Sequence, residues 1–410
     1  MKKSFFIVTA FVLLSVTAVA QESTTDYMNP VITAMPALNI APDARAAGMG
    51  DIGVSTAPDL NSQRWNPAKY AYMQSHGGIT GNYTPWLRKL VGDIDLAYLA
   101  GYYKWDDVQG IAASFTYFSY GQVFIQQAGA ASPTEASESV RPNEWSIDVS
   151  YYRKLHEYVS MAVALRFLYS DINNGRNQST TGGGDLYPAW TMAADIALYY
   201  KQPIELPMGT SYFNLGFSLN NLGGKMTWDK SHYNYIPTNF RIGATYELPC
   251  DKYNFLSFSV EATKLMVPTK QYSNLGQNYK PEDKESWRLT EEEYNNLPYI
   301  KSIFQSFCDA PSETGKYNAL EEFNEVVWGA GIEYTYNHQF FARVGYSYEH
   351  PTKGNRRLFE VGAGFHLSIV NFDVSYTITT ASTNPLNNTM RFTLGFDLAG
   401  IKDLVNNKKN

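Results

Sequence analysis

Cysteine is nearly absent from this chain: Cys250 and Cys308 are the only two in 410 residues. That excludes a disulfide-built scaffold. The strand order derived below sets the two at opposite ends of the fold, so two free thiols are expected. The six histidines are scattered without metal-ligand spacing, so no metal or other cofactor is expected. G-x-S-x-G, H-E-x-x-H and paired C-x-x-C are all missing. A serine, a histidine and an acid on separate strands would escape such motifs. His156 and His366 are the candidates, each expected to be structural. Neither charge sign dominates: 33 Lys+Arg face 39 Asp+Glu, a net charge of −6. No basic patch points to nucleic acid. Past residue 20 no apolar run approaches the roughly 18 residues of a spanning helix, and the mean hydropathy is −0.32.

Residues 1–20 form a signal peptide rather than fold. Lys2 and Lys3 precede an apolar run from Phe5 to Val16, and Ala18-Val19-Ala20 makes a small-x-small cleavage site. The exported remainder is rich in aromatics, at 15% with 31 Tyr and 8 Trp. That excess suits girdles at two membrane interfaces. The decisive pattern is alternation. Met390, Phe392, Leu394, Phe396 and Leu398 point one way; Arg391, Thr393, Gly395 and Asp397 point the other. Such segments recur too often, and run too long, for a soluble sandwich. A chain without spanning helices can still cross a membrane as a closed barrel, apolar outside and polar within.

About fourteen strands are expected on this reading: 77–84, 94–102, 111–117, 145–151, 159–169, 190–200, 213–219, 240–248, 256–262, 327–336, 341–348, 359–367, 372–378 and 390–398. The fold class is therefore an all-β, antiparallel transmembrane barrel over 75–398. A segment at 21–74, assigned to the periplasm, precedes it, and a tail at 399–410 follows. Connections after even strands are short, except the one from Lys201 to Ser211. Long ones fall at 119–144, 171–189, 221–239 and 265–325, the pattern of periplasmic turns and outside loops. An even strand count puts both termini in the periplasm. Within 265–325, Thr290-Glu291-Glu292-Glu293 reads as a capping box. It opens a helix running to Phe304, kinked at Pro298. Inward charges are expected at Asp93, Asp95, Asp148, Arg166, Asp195, Arg241, Glu247, Glu261, Glu333, Arg343, Glu360, His366, Arg391 and Asp397. They are read as structural ladders rather than ligand sites.

Gly48-Met49-Gly50-Asp51-Ile52-Gly53 fits G-x-G-x-x-G but lacks a buried strand before it and room for a helix after it, so nucleotide binding is rejected. Small residues and glycines from Ala44 to Ser55, then Trp65-Asn66-Pro67-Ala68, make instead a compact segment suited to plugging a barrel. The hatch motif is Gly48, Met49, Gly50, Trp65, Asn66, Pro67 and Ala68. This run resembles the N-terminal hatch of the FadL-like outer-membrane proteins, with Asp51 and Lys69 where that pattern has glycine. The longer run from Asn39 to Tyr70 is similar to the PorV family of type IX secretion barrels in the Bacteroidota. The likeness extends over the hatch, fourteen strands and long outer loops.

That resemblance implies a non-enzymatic adaptor in the bacterial outer membrane, among its lipid and lipopolysaccharide. It implies C-terminal domains of secreted cargo as partners, received as they leave the SprA translocon. Delivery would be to the PorU sortase with PorQ and PorZ. It transfers no cargo-binding position; the long loops are the expected docking surface. Two alternatives stay open: a FadL-like transporter of hydrophobic small molecules, with Phe118, Tyr103, Tyr152 and Phe341 lining a pocket, and a lipopolysaccharide deacylase.

Overall fold

The computed structural model describes residues 30–126, 137–174, 186–268, 291–309, 319–367, 369–380 and 385–398. The signal peptide, the tail at 399–410, Thr290 and parts of three long loops lie outside them. Fourteen antiparallel strands close a barrel, numbered β1–β14 in chain order. They are Gly77–Pro85, Asp95–Lys104, Gln109–Ser119, Asn143–His156, Val159–Asp171, Ala189–Leu206, Gly209–Gly223, Asn239–Pro249, Asn254–Leu265, Val326–Tyr336, Phe340–Tyr348, Arg357–Leu367, Val370–Thr379 and Thr389–Asp397. Each pairs with its chain neighbour, and β1 closes onto β14 from Gly78↔Asp397 to Tyr83↔Phe392. Closure leaves no unpaired edge, which lipid would not tolerate.

Alternation sorts the two faces. On β14, Met390, Leu394 and Phe396 are exposed outward, while Thr389, Arg391 and Thr393 are buried inside. Rings gather toward the long-loop end of the wall, where Trp145 lies 5.1 Å from Tyr169 and Phe167 lies 6.0 Å from Trp190. At the short-turn end Trp105 and Tyr151 are 6.4 Å apart.

Two details of the wall depart from the sequence reading. On β2 the buried residues are Leu96, Tyr98, Ala100, Tyr102 and Lys104, so Asp95 points outward. Its carboxylate accepts from Tyr83 (2.7 Å) and Arg88 (2.8 Å). Asp93 is likewise off the barrel face, in the loop before β2, accepting from the Gln122 amide at 2.7 Å. Asp95 opens the strand at its long-loop end and Asp93 stands just beyond it, where a carboxylate keeps its hydration and parity carries no charge penalty. Second, the Lys201–Ser211 connection shrinks to Pro207-Met208, because β6 and β7 run on in register to Leu206↔Gly209.

The long connections carry structure. Val123–Gln126 pairs with Ser137–Val140, and Lys225–Met226 with Asn234–Tyr235. Three short helices follow: Glu291–Asn296, Tyr299–Gln305 and Ala319–Asn324. The first two are split at Leu297-Pro298, where proline ends the hydrogen-bond ladder. Cys250 lies in the short turn after β8 and Cys308 beyond the second helix, and both are free.

The pre-barrel chain threads the lumen from one end to the other. The Ala34 amide donates to the Tyr235 carbonyl at 2.8 Å. Met35 and Leu38 pack with Leu168, Ala189, Met226 and Ile236. Residues 30–40 therefore lie at the long-loop end, not at the short-turn end where the sequence reading set them. An apolar seat among the loop-end strands holds them there. The chain then descends, and Met73 reaches the opposite rim, where its carbonyl accepts from Lys104 Nζ at 2.9 Å. There β1 begins and β14 ends.

Candidate functional site

The segment from Asp43 to Tyr72 fills the lumen. Asp43 caps the one-turn helix Ala44–Ala47, accepting from the Ala46 amide at 2.9 Å, and takes a second bond from Trp65 Nε1 at 2.7 Å. The chain from Gly48 to Ser55 then lies flat on the inner wall. It can do so because lumen-facing wall positions beneath it are glycine: Gly216, Gly243, Gly329, Gly331, Gly345 and Gly362. A Cβ on Gly345 would overlap the Met49–Gly50 peptide, and one on Gly216 the Val54 carbonyl. Gly50 has φ +90°, and its own Cβ would stand 2.7 Å from the Tyr346 carbonyl. Only glycine meets both demands.

Polar groups fix the plug laterally. Arg45 holds the Glu333 carboxylate through two bonds, 3.0 Å and 2.8 Å, and reaches Asp59 at 3.1 Å. Glu333 also takes Arg343 at 2.6 Å, and Arg343 continues to Asp373 at 2.5 Å. Glu261 Oε2 accepts the Gly53 and Val54 amides at 2.8 Å and 2.9 Å, while Arg241 sits on its other oxygen at 3.2 Å. Asp148, Arg166 and Asp195 form a triad at 3.2 Å and 2.8 Å, joined to the plug where Gln63 bonds Asp148. Arg391 is buried between Glu360 (3.3 Å) and the Ala41 carbonyl (3.1 Å). Asn66 donates to the carbonyls of Val54 (3.0 Å) and Leu198 (2.9 Å) and caps the turn beginning at Pro67 through the Ala68 amide. Lys69, fully buried, bonds Gly53 O at 2.9 Å and Thr56 Oγ1 at 3.1 Å. Tyr70 stacks on Tyr102 with centroids 4.5 Å apart.

Above the plug, toward the long loops, lies a cavity of about 480 Å³. Its floor is Gly50 to Ile52, and one side is formed by residues of the 30–39 strap. Among its charged lining are Arg241, Glu261, Glu325, Glu349, Lys353 and Arg356. Asp51, at φ +57°, overlooks it and stands 3.8 Å from Arg391. A cover sits over the mouth beside this cavity. Lys225 Nζ donates to the carbonyls of Tyr294 (2.8 Å), Asn295 (2.9 Å) and Leu297 (3.1 Å). Burial lowers its ammonium from the ordinary lysine range. Tyr299 Oη accepts from the Gly223 amide at 2.9 Å.

The model of the family described as type IX secretion system protein PorV matches residues 23–272, more than half of the chain. The chain belongs to the PorV family. As a member it is an outer-membrane β-barrel associated with type IX secretion. No curated protein sequence matches it. Among solved structures it is similar to the toluene transporter TodX of P. putida, at 10% identity and TM-score 0.48, covering 87% of this chain and 98% of that one. A Pseudomonas aeruginosa FadL homologue is similar at 10% identity and TM-score 0.38, covering 90% and 99%.

All seven hatch-motif residues of this PorV-family chain lie in the lumen segment. Asp148, Arg166, Asp195, Arg241, Glu333, Arg343 and Arg391 are all buried inside the barrel. The aromatic quartet is not brought together: Phe118 packs with Ala37 and Leu96, Tyr152 with Tyr70 in a separate cluster, and Tyr103 faces outward. Phe341 packs instead against His366 in a tilted pair, centroids 4.2 Å apart. His366 meets Asp373 at 3.4 Å; among the described residues neither it nor His156 is bonded to a serine hydroxyl. Sequence reasoning missed the wall glycines, Lys104, Asp373 and the Lys225 clasp. The glycines left a readable signal, since each falls at a lumen-facing position of its strand.

Proposed function

We propose that this PorV-family barrel is a non-enzymatic adaptor: it receives the C-terminal domains of secreted proteins at the translocon and passes them to the cell-surface sortase. By the family resemblance the translocon is SprA, and the acceptor is PorU with PorQ and PorZ. One observation carries the reading. The lumen is filled by a segment inlaid on wall glycines and tied by buried ion pairs, so the barrel offers no protein-sized conduit. The surface left for a large partner is the cover built by the long loops. There Ile300 and Phe304, one helical turn apart, are each 71% exposed. Loops on a rigid scaffold commonly carry binding.

A small-molecule transporter is the second reading, favoured by the cavity under the loops. Its charged lining and the continuous pairing of β2, β3 and β4 weigh against a hydrophobic cargo leaving sideways. Gene deletion followed by fractionation separates the readings. The adaptor reading expects precursors trapped in the periplasm with uncut C-terminal domains. It also expects that a chain lacking residues 269–290 inserts normally yet fails to restore capture. Normal secretion with lost solute uptake supports the transporter, and normal secretion with altered lipid A supports a deacylase.

A further inference from the structure

The helix Ala319–Asn324 is two-faced. Its acidic side is clamped to the barrel rim: Lys264 Nζ binds Glu322 at 3.1 Å and Glu325, just past the helix, at 2.6 Å. Lys353 Nζ binds Glu325 at 3.2 Å and Glu321 at 3.5 Å. Lys264 and Glu325 are buried, so this clamp fixes the helix roll. The other side carries Leu320 and Phe323, 64% and 57% exposed. These lie three positions apart, on one face of a helix. Phe323 is not isolated in water. Its ring lies 5.8 Å from Trp328, which faces outward from the loop end of β10, opposite Tyr348 of β11. Trp328 is exposed on the same face as Ala330, Ile332 and Tyr334, the lipid-facing row of that strand.

We propose that this helix is a membrane foot: Leu320 and Phe323 extend the lipid-facing wall past the end of β10 and insert into the boundary between acyl chains and headgroups of the outer leaflet. The occupant follows from continuity. The apolar face begins where the lipid-facing row ends, with the Phe323 ring 5.8 Å from Trp328. An amphipathic turn with aromatic and leucine side chains toward the membrane is the arrangement that lies in an interface. The acidic face, which anionic headgroups would repel, is turned toward the barrel rim and paired with Lys264 and Lys353. Ile300 and Phe304 belong to a different helix, anchored by Tyr299, whose hydroxyl accepts from the Gly223 amide and meets Thr238 Oγ1. The foot would set the height and tilt of the cover against the membrane.

The test uses the whole chain in vesicles of phosphatidylethanolamine and phosphatidylglycerol. A nitroxide is attached at Phe323→Cys, at Leu320→Cys and, as the water-facing reference, at Lys301→Cys, each with Cys250→Ser and Cys308→Ser. Collision with oxygen, which partitions into lipid, is compared with collision with a water-soluble nickel chelate. The expected result is a several-fold excess of oxygen collisions at 320 and 323, and the reverse at 301. Nickel-dominated collisions at 323 would overturn the proposal. So would a label at 323 that is water-exposed in vesicles but shielded from both reagents in native outer membranes, which would point to a protein partner. Labelling keeps an apolar group at 320 and 323, and the compact band of the unheated sample on detergent gels, lost on boiling, verifies folding. Lipid contact at 323 is read without cargo, so it stands or falls separately from the adaptor role.

Discussion

Charge placement inside the lumen carries the largest single-residue consequences. Glu333 has Arg45 on one side and Arg343 on the other, all three buried. The cations come from different places, one from the plug and one from the neighbouring strand, so this carboxylate joins plug to wall. Removing it leaves Arg45 with Asp59 and Arg343 with Asp373 but takes away the carboxylate they share in a dry site, where breaking a buried pair costs about 3–5 kcal/mol. Glu333→Ala is therefore expected to lower the unfolding free energy, read from a urea titration of the barrel in bilayers, by up to about 3–5 kcal/mol, with a lower urea midpoint. Glu333→Gln, which still accepts hydrogen bonds, is expected to lose less. A midpoint unchanged in Glu333→Ala would mean that the plug is not tied here. Asp51 and Lys69, the two departures from the FadL-like pattern, part company at this scale. Lys69 fills space inside the plug and bonds Gly53 O and Thr56 Oγ1, while Asp51 keeps a left-handed backbone and faces the open cavity.

At the scale of elements, strands were legible and their inlay was not. Period-two alternation survives in the sequence because lipid on one side and a polar lumen on the other select opposite residues at every step. The fourteen strands follow from it with their ends a few residues short. The slip at Asp95 shows where the signal fails: past the membrane boundary a charge is cheap on either face. The plug's fit was hidden for a different reason. Gly345 is dictated by Met49 and Gly50, almost three hundred positions earlier, and no local pattern links them. The helix break at Pro298 was readable, whereas the clasp by Lys225 depends on a contact between two loops. Corrected parity on β2 makes its own prediction. Leu99 is 55% exposed on the lipid side, so Leu99→Arg is expected to cost about 2–4 kcal/mol. Asp95→Asn, outside the hydrocarbon, is expected to change folding little. Equal losses in a bilayer folding titration would return the strand to the opposite register.

For the whole molecule the question is whether the barrel is an open pore or a braced post. A barrel of fourteen strands encloses enough space for solute, yet here a segment of some thirty residues occupies it and shares hydrogen bonds with wall strands all round. Movement of the plug as a body would break the Arg45–Glu333, Glu261–amide and Gln63–Asp148 links together. That cooperativity argues for a stopper that stays seated. It also makes a measurable claim. The wild-type chain in a planar bilayer is expected to show negligible ion conductance. Gly345→Leu puts a side chain where the Met49–Gly50 peptide lies, so the plug is displaced locally and stepwise conductance is expected. Gly81→Leu is the control, since Gly81 has open space where its Cβ would stand; it is expected to remain silent. Conductance in the wild-type chain comparable to that of Gly345→Leu would show that the plug does not seal the lumen. The transport reading would then gain the conduit it lacks.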